Sequence, residues 1–142
     1  MYNVSKLHFA SKCIIINKQN QFLILKRTNY SNNGREKWDF PGGSVNQDED
    51  VNESIKREVN EELQIEIKNP KVFRITSGKK IPSGQFIFVL FASKEFNLKE
   101  GIKLSNEHSD YKWISADKIN NYNFYLRDSI ISDVRNYLKE LK

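Results

Sequence analysis

Apolar residues that recur every four positions predict a helix near the middle of the chain. Between Asp50 and Leu63, the apolar side chains fall on one helical face. They are Val51, Ile55, Val59 and Leu63. Acidic residues precede this stretch, where negative charge complements the positive end of the helix dipole. A second helix is predicted from Leu126 to Leu141. Its inward face would contain Ile130, Val134, Tyr137 and Leu138.

Segments rich in β-branched and aromatic residues predict a β-sheet around these helices. The predicted strands are His8–Ile16, Gln21–Arg27, Ile65–Ile75, Gln85–Ser93 and Asp110–Ile114. The first two are separated by a short turn and are predicted to pair as a hairpin. The third and fourth are predicted to form a long hairpin through residues 77–84, and residues 115–119 a helical turn. This order of elements indicates an α/β fold, in which helices sandwich a mixed sheet.

The length and composition are typical of one globular domain, which we expect to span residues 1–142. Hydrophobic residues make up 38% and charged residues 29% of the chain, a balance that argues against disorder. The single cysteine, Cys13, cannot form an intrachain disulfide. It lies in an apolar run, which predicts a buried and inert thiol.

Neither a signal peptide nor a membrane span is predicted. The first residues lack the apolar core of a signal peptide, and no apolar run approaches the roughly 20 residues needed to cross a bilayer. We therefore expect a cytoplasmic protein without a membrane partner. The net charge of +5 favours an anionic substrate. The basic residues are scattered along the chain, which argues against a nucleic-acid partner.

Three glutamates on the first predicted helix are the most informative feature of the sequence. Glu58, Glu61 and Glu62 are spaced i, i+3 and i+4, so they project from one helical face. Three carboxylates this close repel each other, and a divalent cation removes the conflict. Mg²⁺ prefers oxygen ligands, usually a few carboxylates with waters and substrate phosphates. An isolated acidic face is more often simply solvated, so the surrounding residues decide between the two interpretations.

The segment from Gly43 to Ile65 reads GSVNQDEDVNESIKREVNEELQI and resembles the Nudix box. That pattern is a glycine, five residues, a glutamate, seven residues, and then Arg-Glu-apolar-x-Glu-Glu-x-Gly-apolar. The matching positions are Gly43, Glu49, Arg57, Glu58, Val59, Glu61, Glu62 and Ile65. One position departs, because Gln64 stands where the pattern has its second glycine. Glycine favours the left-handed exit from a helix, so we expect a modest structural cost at Gln64 without loss of activity.

The resemblance implies a role for each residue of the box. The metal ligands, for Mg²⁺ or alternatively Mn²⁺, would be the Gly43 carbonyl and the carboxylates of Glu58, Glu61 and Glu62. Arg57 and Glu49 would be mainly architectural, pairing to hold the loop against the helix. The lead-in Trp38-Asp39-Phe40-Pro41-Gly42-Gly43 also resembles the usual approach to the box. The predicted elements are compatible with the α/β/α sandwich of the Nudix family.

The resemblance further implies hydrolysis of a diphosphate bond in a nucleotide derivative. A metal lowers the pKa of a bound water, and a carboxylate takes the proton as the water attacks phosphorus. Candidates for this base are Glu61 and Glu107. The latter lies in a stretch, residues 106–113, that resembles one found after the box in many family members. His108 is predicted to be a loop or packing residue more often than a base.

Substrate contacts are predicted less specifically. Arg27 ends the second strand before the loop into the box, where its guanidinium could fork onto a phosphate or simply face solvent. Trp38 could stack on a base or lie in the core. The same alternatives hold for other aromatic residues, at Tyr30, Phe86, Phe124 and Tyr125. Asparagines that could contact a base edge, or only form loops, stand at Asn120, Asn121 and Asn123.

Several substrates and roles stay open on the sequence alone. Nucleoside triphosphates, including oxidised ones, are the first candidates because the chain is short. ADP-ribose, dinucleoside polyphosphates and nucleotide sugars are alternatives. A binding module that has lost hydrolysis disagrees with the intact box glutamates, and a role on capped RNA is suggested only by the basic charge. The box decides neither the substrate nor the number of metal ions, and a homodimer is compatible with the resemblance.

Overall fold

The computed structural model of this chain describes residues 6–28, 34–98 and 100–141. The strands are β1 (Leu7–Ile15), β2 (Gln21–Arg27), β3 (Trp38–Asp39), β4 (Gly42–Ser44), β5 (Glu66–Lys68), β6 (Lys71–Ile81), β7 (Gly84–Ser93), β8 (Glu95–Asn97) and β9 (His108–Ser115). The helices are α1 (Val51–Leu63) and α2 (Asp128–Glu140), with a 3₁₀ helix at Ala116–Asn121. Among the described residues, no helix has the length and apolar character needed to span a membrane.

Two sheets and a two-stranded ribbon contain these strands. The larger sheet has the order β4-β1-β7-β6, the second has the order β3-β2-β9, and β5 pairs with β8. β1 and β7 run parallel, whereas the other neighbours are antiparallel. The larger sheet is therefore mixed, as the sequence predicts.

The predicted hairpin of the first two strands is wrong. Apart from the connecting turn and one bridge between Ile16 and Phe22, the described parts of β1 and β2 share no ladder and belong to different sheets. β1 has β4 on one edge and β7 on the other, so it has no edge left for β2. The turn at residues 17–20 therefore connects two sheets.

Alternating residues of β1 and β2 face two separate hydrophobic cores. The core next to α1 includes Cys13, Ile15, Leu23, Leu25, Ile55, Val59 and Leu63. The core next to α2 includes Ile14, Ile16, Phe22, Ile24, Ile130, Val134 and Leu138. Because successive strand residues point to opposite faces, these apolar runs are buried on both sides between the helices. Burial also raises the pKa of the Cys13 thiol far above its usual range, in line with an inert cysteine.

β6 and β7 form the predicted long hairpin, but the strands extend further than expected. Only Pro82 and Ser83 separate them, so most of the predicted connection is strand. The predicted third strand is divided into β5 and β6 at Asn69 and Pro70. Asn69 has a left-handed φ of 49°, and Pro70 has no N–H to donate to a ladder.

α1 begins and ends where the residue pattern predicts. Asp50 caps its first turn, because the side chain accepts a hydrogen bond of 3.1 Å from the Glu53 N–H. At the other end, Gln64 has φ 56° and ψ 36°. Its N–H donates to the Asn60 carbonyl at 2.8 Å. The position where the box pattern has glycine is thus left-handed, as expected.

Candidate active site

Two of the three proposed glutamate metal ligands, Glu58 and Glu62, point from α1 towards the glycines of β4. The Glu58 carboxylate lies against Gly43, where an added Cβ would come within 2.6 Å of the Glu58 Cδ. Gly42 has a φ of +144°, and a Cβ there would collide with the Ser11 carbonyl oxygen. Gly42 is therefore needed for the strand backbone to lie so close to Ser11, whereas at Gly43 the missing Cβ leaves room for the Glu58 carboxylate.

Glu62 is the most deeply buried of the box carboxylates, with 4% of its side chain exposed. Its Oε1 accepts a hydrogen bond of 3.0 Å from the Gly42 N–H. Burial raises the pKa of Glu62 to about 8, and Lys12 opposes this shift. The negative charges of Asp39 and Glu58 raise the pKa further. Glu62 therefore lies in surroundings that disfavour its ionised form unless a cation binds.

Glu58 is partly buried and belongs to the same crowded group. Burial raises its pKa, against the opposing effect of Arg57, whose Nη1 lies 3.2 Å from Glu58 Oε1. The negative charges of Glu61 and Glu107 raise the pKa further. Carboxylates of α1 and of the loop before β9 thus repel one another across the site.

Arg57 joins the start of the box to the helix. Its Nε and Nη2 donate to the two carboxylate oxygens of Glu49 at 2.7 and 3.0 Å, and Nη2 donates to the Ser44 carbonyl at 3.3 Å. Glu49 also accepts a hydrogen bond of 3.1 Å from the Asn46 N–H. The hydrogen bond from Arg57 holds the pKa of Glu49 at about 2. The pair that the box pattern predicts therefore connects the loop after β4 to α1.

Glu61 is placed differently from the other two helix glutamates. Its side chain is 57% exposed, and its two oxygens accept hydrogen bonds of 3.2 and 3.1 Å from Arg57 Nη1. The predicted acidic face is therefore divided. Glu58 and Glu62 face β4, whereas Glu61 lies at the rim in contact with Arg57.

The loop before β9 and the first residue of β9 bring a further carboxylate and an imidazole to Glu62. Thr28 anchors this loop, because its N–H donates to the Glu107 carbonyl at 3.0 Å and its hydroxyl to the Asn106 carbonyl at 2.7 Å. Ligand atoms of Glu62, Glu107 and His108 lie within 4.8 Å of one another. In the part of the chain that the structure describes, no other three acidic, histidine or cysteine side chains come this close.

His108 is buried beside Glu62, with its Nδ1 3.5 Å from the glutamate Oε2. Within the described ranges this nitrogen has no hydrogen-bond partner. Burial lowers the pKa of His108 to about 4, so the imidazole is neutral near pH 7. His108 is packed, as the sequence predicts, but its approach to Glu62 was missed. In the sequence, the one indication that His108 belongs to the site is that it directly follows Glu107.

A buried ion-pair network lies next to these carboxylates. Asp39 is fully buried, and its Oδ2 accepts hydrogen bonds from Lys12 Nζ at 3.0 Å and Arg27 Nη1 at 2.8 Å. Lys12 also donates to the Phe40 carbonyl at 3.4 Å. Lys12 and Asp39 were not predicted as site residues. The available signal was a lysine inside an apolar strand, because lysine is almost never buried without a partner.

The two residues predicted to contact the substrate both have partners inside the protein. Arg27, besides Asp39, places its guanidinium over the Tyr125 ring at 3.9 Å. Trp38 is buried in the core next to α2, and its ring makes a T-shaped contact with the Tyr122 ring at a centroid distance of 5.5 Å. Contacts of Arg27 and Trp38 with a substrate stay predictions.

Two of the other aromatic and asparagine candidates take part in internal contacts. Phe124 stacks on Phe40 with centroids 5.3 Å apart, and the Asn120 side chain accepts a hydrogen bond of 2.7 Å from Arg135. Tyr30 lies outside the described residues. These contacts are sufficient to explain the positions of Phe124 and Asn120 without a ligand.

The donor set of the site fits a divalent cation. Glu58 and Glu62 crowd together with raised pKa values, and a buried imidazole nitrogen without a hydrogen-bond partner in the described residues faces one of them. A bound cation relieves both conditions, because it neutralises carboxylates and accepts a lone pair from a neutral imidazole.

Comparisons with known proteins agree with this site. A family model described as the NUDIX domain matches residues 6–133. An 8-oxo-dGTP diphosphatase from Buchnera aphidicola subsp. Schizaphis graminum is 34% identical to this chain over 101 residues, which cover 69% of this chain and 72% of the relative.

Solved structures show the same fold. A MutT protein from Methanosarcina mazei Go1 superposes with a TM-score of 0.73 at 28% identity, covering 98% of this chain and 95% of the other. The E. coli ORF135 protein superposes with a TM-score of 0.77 at 21% identity, covering 95% and 91%. The predicted α/β/α sandwich is therefore confirmed.

Proposed function

The chain belongs to the NUDIX domain family and is a hydrolase, and we propose that it hydrolyses a nucleoside triphosphate to the monophosphate and diphosphate with Mg²⁺ as cofactor. The first candidate substrate is 8-oxo-dGTP, because the Buchnera relative is an 8-oxo-dGTP diphosphatase. The observation that carries the proposal is the pair of inward carboxylates, Glu58 and Glu62, held against Gly43 and Gly42.

The metal ligands in this proposal are carboxylates of α1 and a backbone oxygen of β4. They are Glu58, Glu61, Glu62 and the Gly43 carbonyl. When bound, Mg²⁺ supplies charge neutralisation at the diphosphate and acidifies the attacking water. Arg57 and Glu49 hold the loop that positions Gly43, since their paired hydrogen bonds connect that loop to the helix.

The remaining chemistry falls to side chains around this group. A water oxygen attacks phosphorus, the bridging P–O bond breaks, and a carboxylate takes the proton of the water. Glu61 and Glu107 are the candidates for this base, because both are exposed at the rim of the site. Arg27 is proposed to stabilise charge on a substrate phosphate while Asp39 orients its guanidinium.

The test is phosphate or diphosphate release from a panel of nucleotides, with Mg²⁺ and with a chelator. The panel contains the nucleoside triphosphates, 8-oxo-dGTP, ADP-ribose, diadenosine polyphosphates and nucleotide sugars. We expect chelator-sensitive turnover, highest with a triphosphate. Faster turnover of ADP-ribose, a dinucleotide or a sugar nucleotide would replace the proposed substrate class. If folded protein that binds Mg²⁺ releases no phosphate or diphosphate from any compound of the panel, a binding module would be favoured.

Matched variants separate the metal assignment from effects on folding. Glu61→Gln and Glu62→Gln are expected to abolish turnover while leaving the chain folded. Glu53→Gln makes the same chemical change on an exposed turn of α1, where Glu53 pairs loosely with Lys56 at 3.6 Å. This control is expected to keep the wild-type rate. Unchanged turnover in both Glu61→Gln and Glu62→Gln would contradict the metal assignment.

A further inference from the structure

Three side chains from two separated segments form a compact group of metal donors. Glu62 comes from the last turn of α1, whereas Glu107 and His108 come from the loop before β9 and from its first residue. Their ligand atoms lie within 4.8 Å of one another. Ligands of one ion are spaced in this range, because bonds of about 2.1 Å place neighbouring ligands about 3 Å apart and opposite ones about 4 Å apart.

The imidazole of His108 faces this group through its Nδ1 atom. Its side chain is 5% exposed, and Nδ1 lies 3.5 Å from Glu62 Oε2. Nδ1 has no hydrogen-bond partner among the described residues, although buried polar atoms nearly always have one. The Glu62 carboxylate is itself oriented, since Oε1 accepts the hydrogen bond from the Gly42 N–H. This leaves Oε2 on the side of His108.

The end of the loop and the start of β9, which carry the other two donors, are held against β2. The Thr28 N–H donates to the Glu107 carbonyl, and the Thr28 hydroxyl donates to the Asn106 carbonyl. In the antiparallel pairing of β2 with β9, the backbone of Arg27 lies opposite that of His108. Backbone contacts therefore place the imidazole independently of any bound ion. In metal sites, hydrogen bonds from groups that do not themselves bind the metal typically hold the ligands in place.

We propose that Glu62, Glu107 and His108 form a divalent-cation position with one imidazole ligand, which binds a first-row transition-metal ion such as Mn²⁺ more tightly than Mg²⁺. The physical reason is donor type. Mg²⁺ is a hard ion that favours oxygen, whereas an imidazole nitrogen suits transition metals better. Glu62 is also one of the proposed box ligands. This inference therefore rests on the proposed metal-dependent function and adds a ligand to its metal site.

The experiment uses the histidine content of the chain. The protein has two histidines, and His8 contacts Phe86 and Ser83 in another part of the fold. Untagged protein is titrated with Mn²⁺, and the affinity is obtained from the free Mn²⁺ signal in electron paramagnetic resonance. Pulsed measurements on the frozen complex then detect coupling between the Mn²⁺ electron spin and a nitrogen nucleus, which reports an imidazole ligand. Competition with Mg²⁺ gives the preference between the two ions.

We expect nitrogen coupling in the wild type and in His8→Gln, where His108 is the remaining histidine. His108→Gln is expected to lose the coupling and to bind Mn²⁺ roughly 10- to 100-fold more weakly. Glu107→Gln, at an exposed side chain, is expected to keep the coupling with weaker binding. The wild type is expected to bind Mn²⁺ more tightly than Mg²⁺, and His108→Gln is expected to reduce this preference.

Absence of nitrogen coupling in His8→Gln, or its persistence in a folded His108→Gln, would overturn the inference. If His108→Gln does not fold, the His8→Gln spectrum still decides, because a single histidine then remains. Failure of the inference is distinguishable from failure of the proposed function. Mg²⁺-dependent turnover without nitrogen coupling refutes only the imidazole ligand, whereas nitrogen coupling without hydrolysis of any nucleotide refutes only the proposed reaction.

Discussion

Replacing Glu62 by glutamine is expected to stabilise the metal-free protein while abolishing its turnover. Glutamine has nearly the same shape, and its amide oxygen can still accept the hydrogen bond from the Gly42 N–H. Its NH₂ group can donate towards His108 Nδ1, which stands 3.5 Å from Glu62 Oε2. The substitution therefore removes a buried charge without removing the contacts around it.

The magnitude follows from the pKa of Glu62, which burial raises from 4.5 to about 8. Between these two values the native protein retains a proton that the unfolded chain has lost. The favourable contribution is fully present below pH 4.5 and is lost as the pH rises to about 8. At pH 7 the 2.5 pH units above 4.5 correspond to roughly 3 kcal/mol of lost stability. Glu62→Gln avoids this loss, which corresponds to a gain of roughly 10 °C in Tm.

The assay is unfolding by urea and by heat in the presence of chelator, at several pH values from 4 to 8. The stability difference between Glu62→Gln and the wild type is expected to be near zero at pH 4 and to grow towards pH 8. Added Mg²⁺ is expected to stabilise the wild type by mass action and the variant much less. Glu53→Gln serves as the control for the loss of an exposed carboxylate on the same helix, where a stability difference below about 1 kcal/mol is expected. A variant less stable than the wild type at pH 7, or a difference independent of pH, would refute the reasoning.

Three further predictions concern residues around the site. Glu49→Gln is expected to lose stability in urea unfolding at pH 7 but little near pH 2. The pKa of Glu49 is held at about 2 against an ordinary 4.5, so its contribution is present above pH 4.5 and lost as the pH falls through about 2. Equal losses at both pH values would contradict this prediction. Gln64→Gly is expected to raise the free energy of unfolding in urea by about 1 kcal/mol, because the backbone at this position is left-handed. The rate of nucleotide hydrolysis is expected to change little. A large gain in this rate would show that Gln64 limits catalysis. Lys12→Met is expected to destabilise the fold by about 3 kcal/mol in thermal unfolding, because Asp39 stays buried with one cation fewer. The control Lys103→Met, at an exposed pair with Glu100, should change stability by less than about 1 kcal/mol. Equal effects of the two variants would contradict a role for Lys12 in neutralising Asp39.

The sequence predicted best those features that depend on residues close together in the chain. The limits of α1 follow from apolar spacing and from the cap at Asp50, which are local properties. The pairing of Glu49 with Arg57 was implied by the resemblance to the Nudix box, and it too joins residues of one loop and the helix that follows. The hairpin of β1 and β2 was mispredicted because strand pairing is decided by distant segments, here β4 and β7.

The same distinction explains which site residues were found. Glu58, Glu61 and Glu62 share one helix, so their spacing placed them on one face, and the resemblance of the surrounding residues to the Nudix box indicated a metal site. The interactions of His108 with Glu62 and of Lys12 with Asp39 cross between separate elements. Their proximity depends on the register of β2 with β9 and of β1 with β4, which no local pattern encodes. Even within the helix, the pattern did not indicate that Glu61 would turn to Arg57 while Glu58 and Glu62 faced β4.

The charges of the site show why Glu62 is the residue where stability and function conflict. Asp39 is as deeply buried, but two cations bind its Oδ2. Glu58 has Arg57 Nη1 at 3.2 Å. For Glu62, no lysine or arginine within 4.0 Å is found among the described residues, and its nearest basic group is a histidine that burial keeps neutral. A carboxylate kept for folding alone would be replaced by an uncharged group or supplied with a cation. Keeping Glu62 buried and without such a partner makes sense if the missing charge arrives with a bound metal ion.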